Sequence, residues 1–551
     1  MAQAISLKQE IEKRLNKYRL FYVCRDIERA LPLLDIRSQQ CKIITNHTKF
    51  AKKMAARHKN VILIKSERLL DTKELLENEK SAKLIKKNDL ILVFKNTKQI
   101  EKICADKKWR LLNPPAELAG RAEEKVAQVR WLGDLEKYLP PHRVELCKNI
   151  VWPGDKFILQ FNHSHTGSGT LLVETKKQLE EIKTKFPHRE ARAAEYIAGP
   201  IFTNNNIVWG EKVLTGNISY QITGLSPFTE NPFATIGNDW HAPRIMLTNN
   251  QRLEYERIAR DIGQKFASQG WRGLFGIDAV LDEKTGRIYL IEINARQPAS
   301  TSFESELQAA CRKAAYEITV FQAHLSALLG LEFSGERLIK IKNGAQIVQR
   351  VTEKIDKMRT PKIDSPDIAN IILYKNEKPG SDLCRIQTGR HLVSGHNILS
   401  KLGRAVLVSM FTAYKSAIWN SGRAGIIFRR NNGILLMKRH KYGDDYFAMP
   451  GGTLEEGEDF LTAAIREAFE ETGLKFEIDN DIKPVKLLIH RHEMYFFAKN
   501  IIGEPILGGP ESARNSANNH YELVWVPVKK LKNTDLRPKQ LKKRMVDYFN
   551  Q

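Results

Sequence analysis

The first 120 residues alternate short apolar runs with charged stretches of ordinary helix length. Between two of these runs, Phe50, Met54 and Ala55 recur at the spacing of one helix face. This alternation of strands and helices predicts a parallel sheet covered by helices. No G-x-G-x-x-G sequence follows the first run, so we predict a scaffold or part of a substrate cleft rather than a dinucleotide site. The runs with strand character are residues 20–24, 41–45, 61–65 and 89–94.

The pattern changes after Asn113-Pro114-Pro115, where two adjacent prolines interrupt the alternation. Residues 116–134 then have the periodicity of a helix. Further on, the apolar runs 274–281 and 287–293 predict a hairpin, because a short turn ending in Gly286 joins them. We therefore expect a multidomain chain of the α/β and α+β classes. The predicted divisions are 1–120, 121–330, 331–412, a linker over 413–423, and 424–551.

Composition supports a folded chain of several domains. The 551 residues are 42% hydrophobic and 28% charged, which excludes wholesale disorder. No apolar stretch reaches the roughly 18 residues of a membrane span, and the N-terminus lacks the apolar centre of a signal peptide. The six cysteines form no C-x-x-C pair, so neither a zinc site nor a disulfide framework is indicated. These features predict a soluble, cytoplasmic protein without a membrane partner.

The positive charge is distributed unevenly. The formal net charge is +24, yet residues 424–551 hold 20 Lys or Arg against 18 Asp or Glu. An excess of 22 positive charges therefore belongs to residues 1–423. Such an excess favours polyanionic partners such as nucleotides, phosphorylated metabolites or RNA. A lysine-rich, solvated surface explains it equally well, and both interpretations stay open.

A dense acidic pattern lies between residues 450 and 474. Glu467, Glu470 and Glu471 are spaced to share one helical face, where like charges repel by a few tenths of a kcal/mol per pair. A cation that gathers them removes this repulsion, and oxygen ligands suit Mg²⁺ or Mn²⁺. Arg466 is placed to pair with one of the carboxylates and hold its geometry. Three glutamates alone would also fit an ordinary solvated helix.

The complete spacing resembles the Nudix box, G-x5-E-x7-R-E-U-x-E-E-x-G-U. Ala468 is smaller than the usual aliphatic residue at its position, which should affect packing more than chemistry. The flanking sequence reads as two strands before the box, over 425–452, and a late strand entering the final helix, over 521–531. The resemblance covers residues 424–551 and implies an α/β/α sandwich. The matching positions are Gly452, Glu458, Arg466, Glu467, Glu470, Glu471, Gly473 and Leu474.

Membership of this family implies hydrolysis of a nucleoside diphosphate linked to another group. Glu470 and Glu471 would be metal ligands, and Glu467 a ligand or the general base that activates water. Arg466 would belong to the catalytic set, with Glu458 as a supporting acid. The metal neutralises the diphosphate and lowers the pKa of the attacking water. Some members of the fold are not hydrolases, so the box identifies the metal site better than the substrate.

A second set of polar residues lies on the predicted hairpin. Asp278 is on one strand, and Glu292 and Asn294 share a face of its partner. Three oxygen ligands there would suit one or two Mg²⁺ ions bridging ATP phosphates. Arg296, placed on the same face, could stabilise a transferring phosphoryl group. The alternative is an exposed hairpin with ordinary polar alternation.

This hairpin resembles the metal-binding strands of ATP-grasp enzymes, the superfamily of biotin carboxylase and carboxylate–amine ligases. The resemblance spans residues 1–412 and implies further ligands for ATP. Lys125 would reach the phosphates, Gly167 and Gly169 would lie in a flap over them, and Glu195 would hold the adenine edge and ribose. The residues that depart from the pattern or could compensate for it are Gln160, Lys156, His163 and His165.

Gln160 stands where most members carry a second phosphate-binding lysine. We expect Gln160 to belong to the ATP site as well, but glutamine supplies no charge, so neutralisation of the phosphates must come from elsewhere. Lys156, His163 and His165 are the sequence candidates for that role.

These features together predict a bifunctional enzyme that uses ATP and Mg²⁺ or Mn²⁺. One module would activate a small carboxylate as an acyl phosphate, and the other would hydrolyse a nucleotide pyrophosphate. The alternative is a Nudix hydrolase with a degenerate ATP-binding or RNA-binding regulatory module, and a third option gives the Nudix fold a sensing role. Nucleic acid is not required as a partner, and the oligomeric state stays open.

Overall fold

The structure is a computed structural model that forms two compact units. One unit comprises residues 1–352 and 360–410, and the other comprises 353–359 and 411–551. In the described part of the chain, no helix has both the length and the apolar character needed to cross a membrane. The described residues are 7–15, 17–36, 38–162, 169–225, 228–314, 316–352, 359–374, 376, 378–413, 422–441, 444–455, 458–488, 492–509, 512, 515 and 519–549.

The first unit begins with the predicted parallel sheet. Its five strands run in the order β3-β2-β1-β4-β5, and every pairing is parallel. Neighbouring residues Phe21 and Tyr22 are both buried, because helices cover both faces of the sheet. The prediction of a parallel α/β region is confirmed. The elements are α1 (Leu7–Leu15), β1 (Leu20–Val23), β2 (Cys41–Asn46), α2 (Lys49–Arg57), β3 (Val61–Ile64), α3 (Thr72–Glu77), α4 (Glu79–Leu84), β4 (Leu90–Leu92), α5 (Lys98–Asp106) and β5 (Arg110–Leu111).

Two short helices and a four-stranded antiparallel sheet follow. The single helix predicted over 116–134 is wrong, since Glu124 has an extended backbone (φ −70°, ψ 122°) that divides it. The break makes Lys125 the first residue of the second helix. The strands run in the order β6-β9-β7-β8. The elements are α6 (Ala116–Glu123), α7 (Lys125–Leu132), β6 (His142–Leu146), β7 (Phe157–Gln160), β8 (Thr170–Val173), α8 (Lys176–Lys185) and β9 (Glu190–Glu195).

A large sheet forms the rest of this unit, in the order β15-β14-β10-β12-β13-β18-β20-β19, with β11 paired to β10. The predicted hairpin is confirmed as β14 and β15, which pair antiparallel. The strands are β10 (Ile201–Trp209), β11 (Lys212–Leu214), β12 (Ser219–Thr223), β13 (Thr235–Asp239), β14 (Gly273–Leu281), β15 (Ile288–Asn294), β16 (Glu317–Ile318), β17 (Arg337–Leu338), β18 (Ala345–Arg350), β19 (Ile368–Leu373), β20 (Asp382–Thr388), β21 (Val393–Gly395) and β22 (Ile398–Leu399). The helices are α9 (Pro243–Met246), α10 (Asn249–Ser268), α11 (Thr301–Cys311), α12 (Val320–Leu328) and α13 (Lys401–Thr412).

The second unit contains two sheets, and the helix of the acidic motif packs on strands of one of them. One sheet has the order β27-β23-β30-β28 with β29 on β30, and the other has the order β24-β25-β26 with β31 on β25. Gly473 ends α14 in the left-handed conformation (φ 64°), as its position predicted. The elements are β23 (Arg423–Ile427), β24 (Arg429–Arg430), β25 (Gly433–Lys441), β26 (Asp444–Ala448), β27 (Gly451–Thr453), α14 (Phe460–Thr472), β28 (Lys475–Ile478), β29 (Val485–Leu488), β30 (His492–Ile502), β31 (Asn519–Pro527) and α15 (Lys539–Phe549).

Two details of this unit differ from the sequence prediction. The segment 425–452 holds more than two strands, because Asn431 adopts a positive φ of 53° and turns the chain between β24 and β25. The last strand does not enter the final helix directly. A 3-10 helix, Val528–Asn533, lies between them, after Pro527 ends the strand. Most of the predicted linker, residues 414–421, lies outside the described residues.

A buried histidine should make the first unit sensitive to acid. His324 on α12 accepts a hydrogen bond at Nδ1 from the Leu274 amide (3.0 Å), and burial lowers the pKa of its imidazole to about 3. An unfolded histidine has a pKa of about 6.5, so the stabilisation is present above that pH and is lost as the pH falls toward 3. Between pH 7 and pH 5, the free energy of unfolding should fall by about 2 kcal/mol because of this histidine.

The comparison that isolates this effect is His324→Asn, which keeps an acceptor for the Leu274 amide and removes the titration. Urea unfolding of the first unit at several pH values should show the free-energy difference between wild type and variant shrinking by about 2 kcal/mol from pH 7 to pH 5. A difference that is independent of pH would contradict the prediction.

Candidate active sites

Two carboxylates face each other on the hairpin of the first unit. Asp278 of β14 is in register with Glu292 of β15, and Asn294 Nδ2 donates to Asp278 Oδ2 (3.3 Å). Asp278 is buried, and its Oδ1 has no hydrogen-bond partner among the described residues. Burial, and then the charge of Glu292, raise the pKa of Asp278. A buried carboxylate oxygen without a partner beside a second carboxylate fits a divalent cation, so these residues suit Mg²⁺ or Mn²⁺.

Lys125 lies against this pair from the start of α7. Its Nζ is 3.6 Å from Glu292 Oε1 and 3.5 Å from the Ile291 carbonyl oxygen. Burial lowers the pKa of Lys125, although Glu292 partly offsets the effect. For Glu292, burial acts in the opposite direction, but Lys125 and Arg296 outweigh it and lower the pKa below its usual value. The lysine and the carboxylates therefore form one electrostatic group.

A cavity of about 280 Å³ opens beside these residues. Its walls combine the charged group with apolar side chains, among them Ile158, Ile197 and Val280. This mixture suits a ligand with an apolar ring and a charged end. Gly169 is not among its lining residues, although its carbonyl accepts from the amide of Phe161, the neighbour of Gln160. Gly167 lies outside the described residues. The sequence-predicted residues that line the cavity are Lys125, Gln160, Glu195, Asp278 and Glu292.

Arg296 is placed differently from the sequence expectation. Strand β15 ends at Asn294, so the alternation of faces does not extend to residue 296. Its guanidinium pairs with Glu123, which also accepts from Lys95 Nζ (2.8 Å). Arg296 is not among the residues that line the 280 Å³ cavity, although its charge still acts on Glu292.

The sequence analysis missed Arg192, a buried cation on β9. Gln160 and Arg192 are directly opposite in the antiparallel pair β7–β9. Arg192 Nε and Nη2 both donate to Gln160 Oε1 (2.8 and 2.5 Å), and Nη1 donates to Gln128 Oε1 (3.2 Å). The residue is 3% exposed, and burial lowers its pKa to about 10 while Glu292 acts in the opposite direction. Arg192 thus brings a positive charge to the position where Gln160 supplies none.

Among the described residues, the other candidate for this charge is Lys156, which does not reach the cavity. Lys156 lies over the Tyr196 ring, with its Nζ 4.7 Å from the centroid, and it does not line the 280 Å³ cavity. His163 and His165 lie outside the described residues. One signal for Arg192 was present in the sequence, because it is the only charged residue between alanines in the strand segment Ala191–Ala194.

In the second unit, one arginine gathers the carboxylates of the acidic motif. Arg466 donates to both oxygens of Glu458 (3.0 and 2.9 Å), to Glu467 Oε1 (3.0 Å) and to Glu470 Oε2 (3.4 Å). These contacts hold three carboxylates around one guanidinium. The hydrogen bonds from Arg466 lower the pKa of Glu458, whereas burial raises the pKa of Glu467. Glu471 is buried on the sheet side, where it accepts from the Gly451 amide (2.6 Å).

The carboxylates form a suitable donor set without being arranged as a finished metal cluster. Among the described residues of the whole chain, no three His, Cys, Asp or Glu side chains converge closely enough to hold an ion as they stand. Glu470 is the most open of the set, with 43% of its side chain exposed, against 17% for Glu467. Hard oxygen donors fit Mg²⁺ or Mn²⁺, with Arg466 keeping the carboxylates together.

Two parts of the chain match known protein families. Residues 122–300 match the model of the ATP-grasp domain, and residues 420–548 match the model of the NUDIX domain. The chain therefore contains an ATP-grasp domain followed by a Nudix domain, and both belong to families of enzymes. The predicted resemblance to these two families is confirmed.

Individual proteins resemble parts of the chain. A carboxyaminoimidazole ribonucleotide synthase from Aspergillus clavatus, solved with ATP, is 14% identical to this chain. The match covers 73% of this chain and 100% of that chain, and its TM-score of 0.50 shows a shared fold. Biotin carboxylase from Campylobacter jejuni is 15% identical, covering 72% and 90%, with a TM-score of 0.49. An RNA pyrophosphohydrolase of Pelagibacter ubique (strain HTCC1062) is 38% identical over 50 residues, 9% of this chain and 32% of that protein. This last match spans about a third of the relative's length.

The close approach of Gly452 to Glu467 should be essential for the acidic site. A Cβ atom on Gly452 would lie 2.0 Å from the Glu467 carboxyl carbon, so Gly452→Ala must displace that flexible carboxylate. We expect this variant to bind Mn²⁺ at the acidic site of the second unit about tenfold or more weakly, with little change in the free energy of unfolding. Calorimetry on the full chain measures the affinity.

Gly433→Ala is the matched control in the same unit. Its added Cβ would have no neighbour closer than 3.6 Å, so Mn²⁺ affinity should stay at the wild-type value. Equal affinities for both variants would show that the Gly452 contact does not position Glu467.

Proposed function

We propose that the chain is a bifunctional enzyme: an ATP-dependent carboxylate ligase joined to a Mg²⁺-dependent Nudix pyrophosphohydrolase. The observation that supports the ligase is the group of Lys125, Arg192, Asp278 and Glu292 around one cavity. The phosphates of a magnesium nucleotide need cationic side chains, and its magnesium ion needs carboxylate ligands. The observation that supports the hydrolase is the set of carboxylates held by Arg466 within a Nudix domain.

In the ligase, Lys125 and Arg192 bind the ATP phosphates. Asp278, Glu292 and Asn294 would hold Mg²⁺, which supplies neutralisation of phosphate charge. Glu195 at the cavity edge takes the adenine and ribose side, and Gly169 is the described residue of the glycine-rich segment proposed for the phosphates. The catalytic demand is positioning and charge neutralisation, to which Arg296 contributes from its place beside Glu292.

The reaction proceeds in two balanced steps. A substrate carboxylate oxygen bonds to the γ-phosphorus while the bond from that phosphorus to the bridging oxygen breaks, releasing ADP. A nucleophile, such as an amine, then bonds to the acyl carbon, and phosphate leaves with the carbon–oxygen electron pair.

In the hydrolase, water attacks a phosphorus atom of the substrate diphosphate, and the bridging oxygen leaves with its electron pair. Glu467 accepts the proton of the water or serves as a metal ligand; burial raises its pKa, which favours a proton-accepting role. Glu470 and Glu471 would hold Mg²⁺ or Mn²⁺, which lowers the pKa of water when bound. Arg466 keeps Glu458, Glu467 and Glu470 in place, and so acts through them.

The domain division proposed for these activities is 1–120, 121–330 and 331–412 for the ligase, 413–423 for the linker, and 424–551 for the hydrolase. We propose a cytoplasmic location and a shared pathway, in which the hydrolase acts on a nucleotide or pyrophosphate compound made, used or damaged by the ligase. Screening both activities against one metabolite pool tests this link, and finding no shared compound would contradict it.

A regulatory, ATP-sensing first unit is the second candidate. Gln160 favours it, since that position lacks the usual phosphate lysine. The cation of Arg192 opposite Gln160 weakens this argument, because it restores the missing charge from the next strand.

Conservative amide variants should separate the two activities. We expect Glu471→Gln to reduce pyrophosphate hydrolysis at least about a hundredfold without changing ADP formation, and Glu292→Gln to do the reverse, since each removes one carboxylate charge. Substrates are nucleoside diphosphates linked to sugars or nucleosides, 5′-triphosphorylated RNA, and a panel of carboxylates with ATP. Loss of both activities in either variant would contradict two independent sites.

Relocating one charge tests the role of Arg192. Arg192→Gln should weaken ATP binding about tenfold or more, because a charge-assisted contact to phosphate is lost. Adding Gln160→Lys to that variant moves the cation to the opposite strand and should restore most of the affinity.

Lys177→Gln on the exposed side of α8 is the control and should bind ATP like wild type. Calorimetry with MgATP measures all four proteins. The role of Arg192 is contradicted if the single variant binds ATP normally, or if the double variant binds no better than the single one while remaining folded.

A further inference from the structure

A small cavity lies where three segments of the first unit meet, apart from the cavity proposed for ATP. The loop after β4 contributes Asn96, helix α12 contributes His324, and the segment after β15 contributes Arg296. About 10 Å³ of this cavity is open to the centre of a water-sized sphere, which is room for one water molecule. None of the described residues lines both this cavity and the one of about 280 Å³. The small cavity is therefore a separate site.

His324 presents a buried hydrogen-bond donor to this cavity. Its Nδ1 accepts from the Leu274 amide (3.0 Å), so the proton of the neutral ring is on Nε2. Burial lowers the pKa of the imidazole to about 3, and the ring is therefore neutral near pH 7. The residue is 3% exposed, and its Nε2 atom is buried with no hydrogen-bond partner in the described part of the chain. An N–H group in such a place needs an acceptor.

Asn96 presents the complementary acceptor. Its Nδ2 donates to Glu101 Oε1 (2.8 Å) and to the Pro114 carbonyl (2.9 Å). Because both of these partners accept, the orientation of the amide is fixed and Oδ1 is left to accept a further bond. Asn96 is 7% exposed, and no described residue donates to its buried Oδ1. The cavity is thus lined by one side chain that lacks an acceptor and one that lacks a donor.

Direct contacts hold the walls of the cavity in place. The Gln297 amide of one wall donates to the Phe94 carbonyl of another (2.9 Å). The His324 ring is closely packed against β14, since a Cβ atom on Gly273 would lie 2.4 Å from its Nδ1. Held in this way, the side chains of His324 and Asn96 do not hydrogen-bond to each other.

The chemistry of the walls selects water over other small ligands. The ligand must accept from His324 Nε2 and donate to Asn96 Oδ1, and it must do both through one heavy atom because there is room for no more. A metal cation accepts no hydrogen bond, and the cationic Arg296 lines the same cavity. A halide ion donates no hydrogen bond. Water does both, and buried waters typically bond to polar groups that a fold leaves unpaired.

We infer that one buried water molecule binds in this cavity and joins His324 Nε2 to Asn96 Oδ1. Its two hydrogen bonds connect α12, which packs on β10 and β14, to the loop that follows β4 of the parallel sheet. The water thus links the parallel sheet to the large sheet of the first unit. The inference goes beyond the proposed function and does not depend on either activity.

A crystal structure of the full chain, at a resolution that shows single waters, tests the inference directly. We expect one peak of electron density within about 3.2 Å of both His324 Nε2 and Asn96 Oδ1. A cavity without such a peak would overturn the inference, as would a direct hydrogen bond between the two side chains.

A double-mutant cycle tests the same link in solution. His324→Asn keeps an acceptor for the Leu274 amide and removes the Nε2 donor, while Asn96→Ala removes the Oδ1 acceptor. Because one water needs both groups, the second substitution should cost less once the first has been made. We expect the unfolding equilibrium constant of the double variant, from urea unfolding at pH 7, to be about threefold or more below the value that multiplying the two single effects gives.

The cycle carries its own controls. The bonds from Asn96 Nδ2 to Glu101 and Pro114 are lost in both backgrounds, so their contribution cancels. His324→Asn combined with Lys52→Gln, on the exposed side of α2, should give effects that simply multiply. Effects that also multiply for His324→Asn with Asn96→Ala would overturn the inference. If either variant fails to fold, the crystal structure of the wild-type chain decides.

Discussion

The facing carboxylates Asp278 and Glu292 set the main constraint on the first unit. The register of β14 and β15 places them opposite each other, with Asp278 buried and the Glu292 side chain 43% exposed. Two like charges in such a place are costly unless cations surround them. The fold supplies these cations from three separate elements: Lys125 from the start of α7, Arg192 from β9, and Arg296 from the segment after β15. The same charges that stabilise the carboxylates can bind phosphate, so one constraint produces both the fold's interior and its chemistry.

Local spacing explains what could be predicted from the sequence. The hairpin and the common face of Glu292 and Asn294 depend on residues close together in the chain. The same is true of the Nudix box, whose arginine pairs with Glu467 and Glu470 on its own helix. Helical and strand periodicity determine such contacts directly.

Pairings between distant strands could not be predicted from the sequence. Arg192 and Gln160 are 32 residues apart, and their contact depends on the register of β7 and β9. Nothing in the pattern of either strand fixes that register. The position of Arg296 was misjudged for a related reason, since the alternation was extended past the residue where β15 ends. The single helix expected over 116–134 shows the same limit, because one extended residue, Glu124, decides where Lys125 lies.

The excess positive charge of residues 1–423 now has a partial structural explanation. Lys125 and Arg192 line the cavity of about 280 Å³, and the charge of Glu292 acts on both of them. A buried cation pays a desolvation cost, which a nearby carboxylate or an anionic ligand offsets. Few of the basic residues are placed this way, so most of the excess still belongs to the surface. The carboxylate of Glu292 already faces the cations of this cavity, so RNA is not needed to explain them.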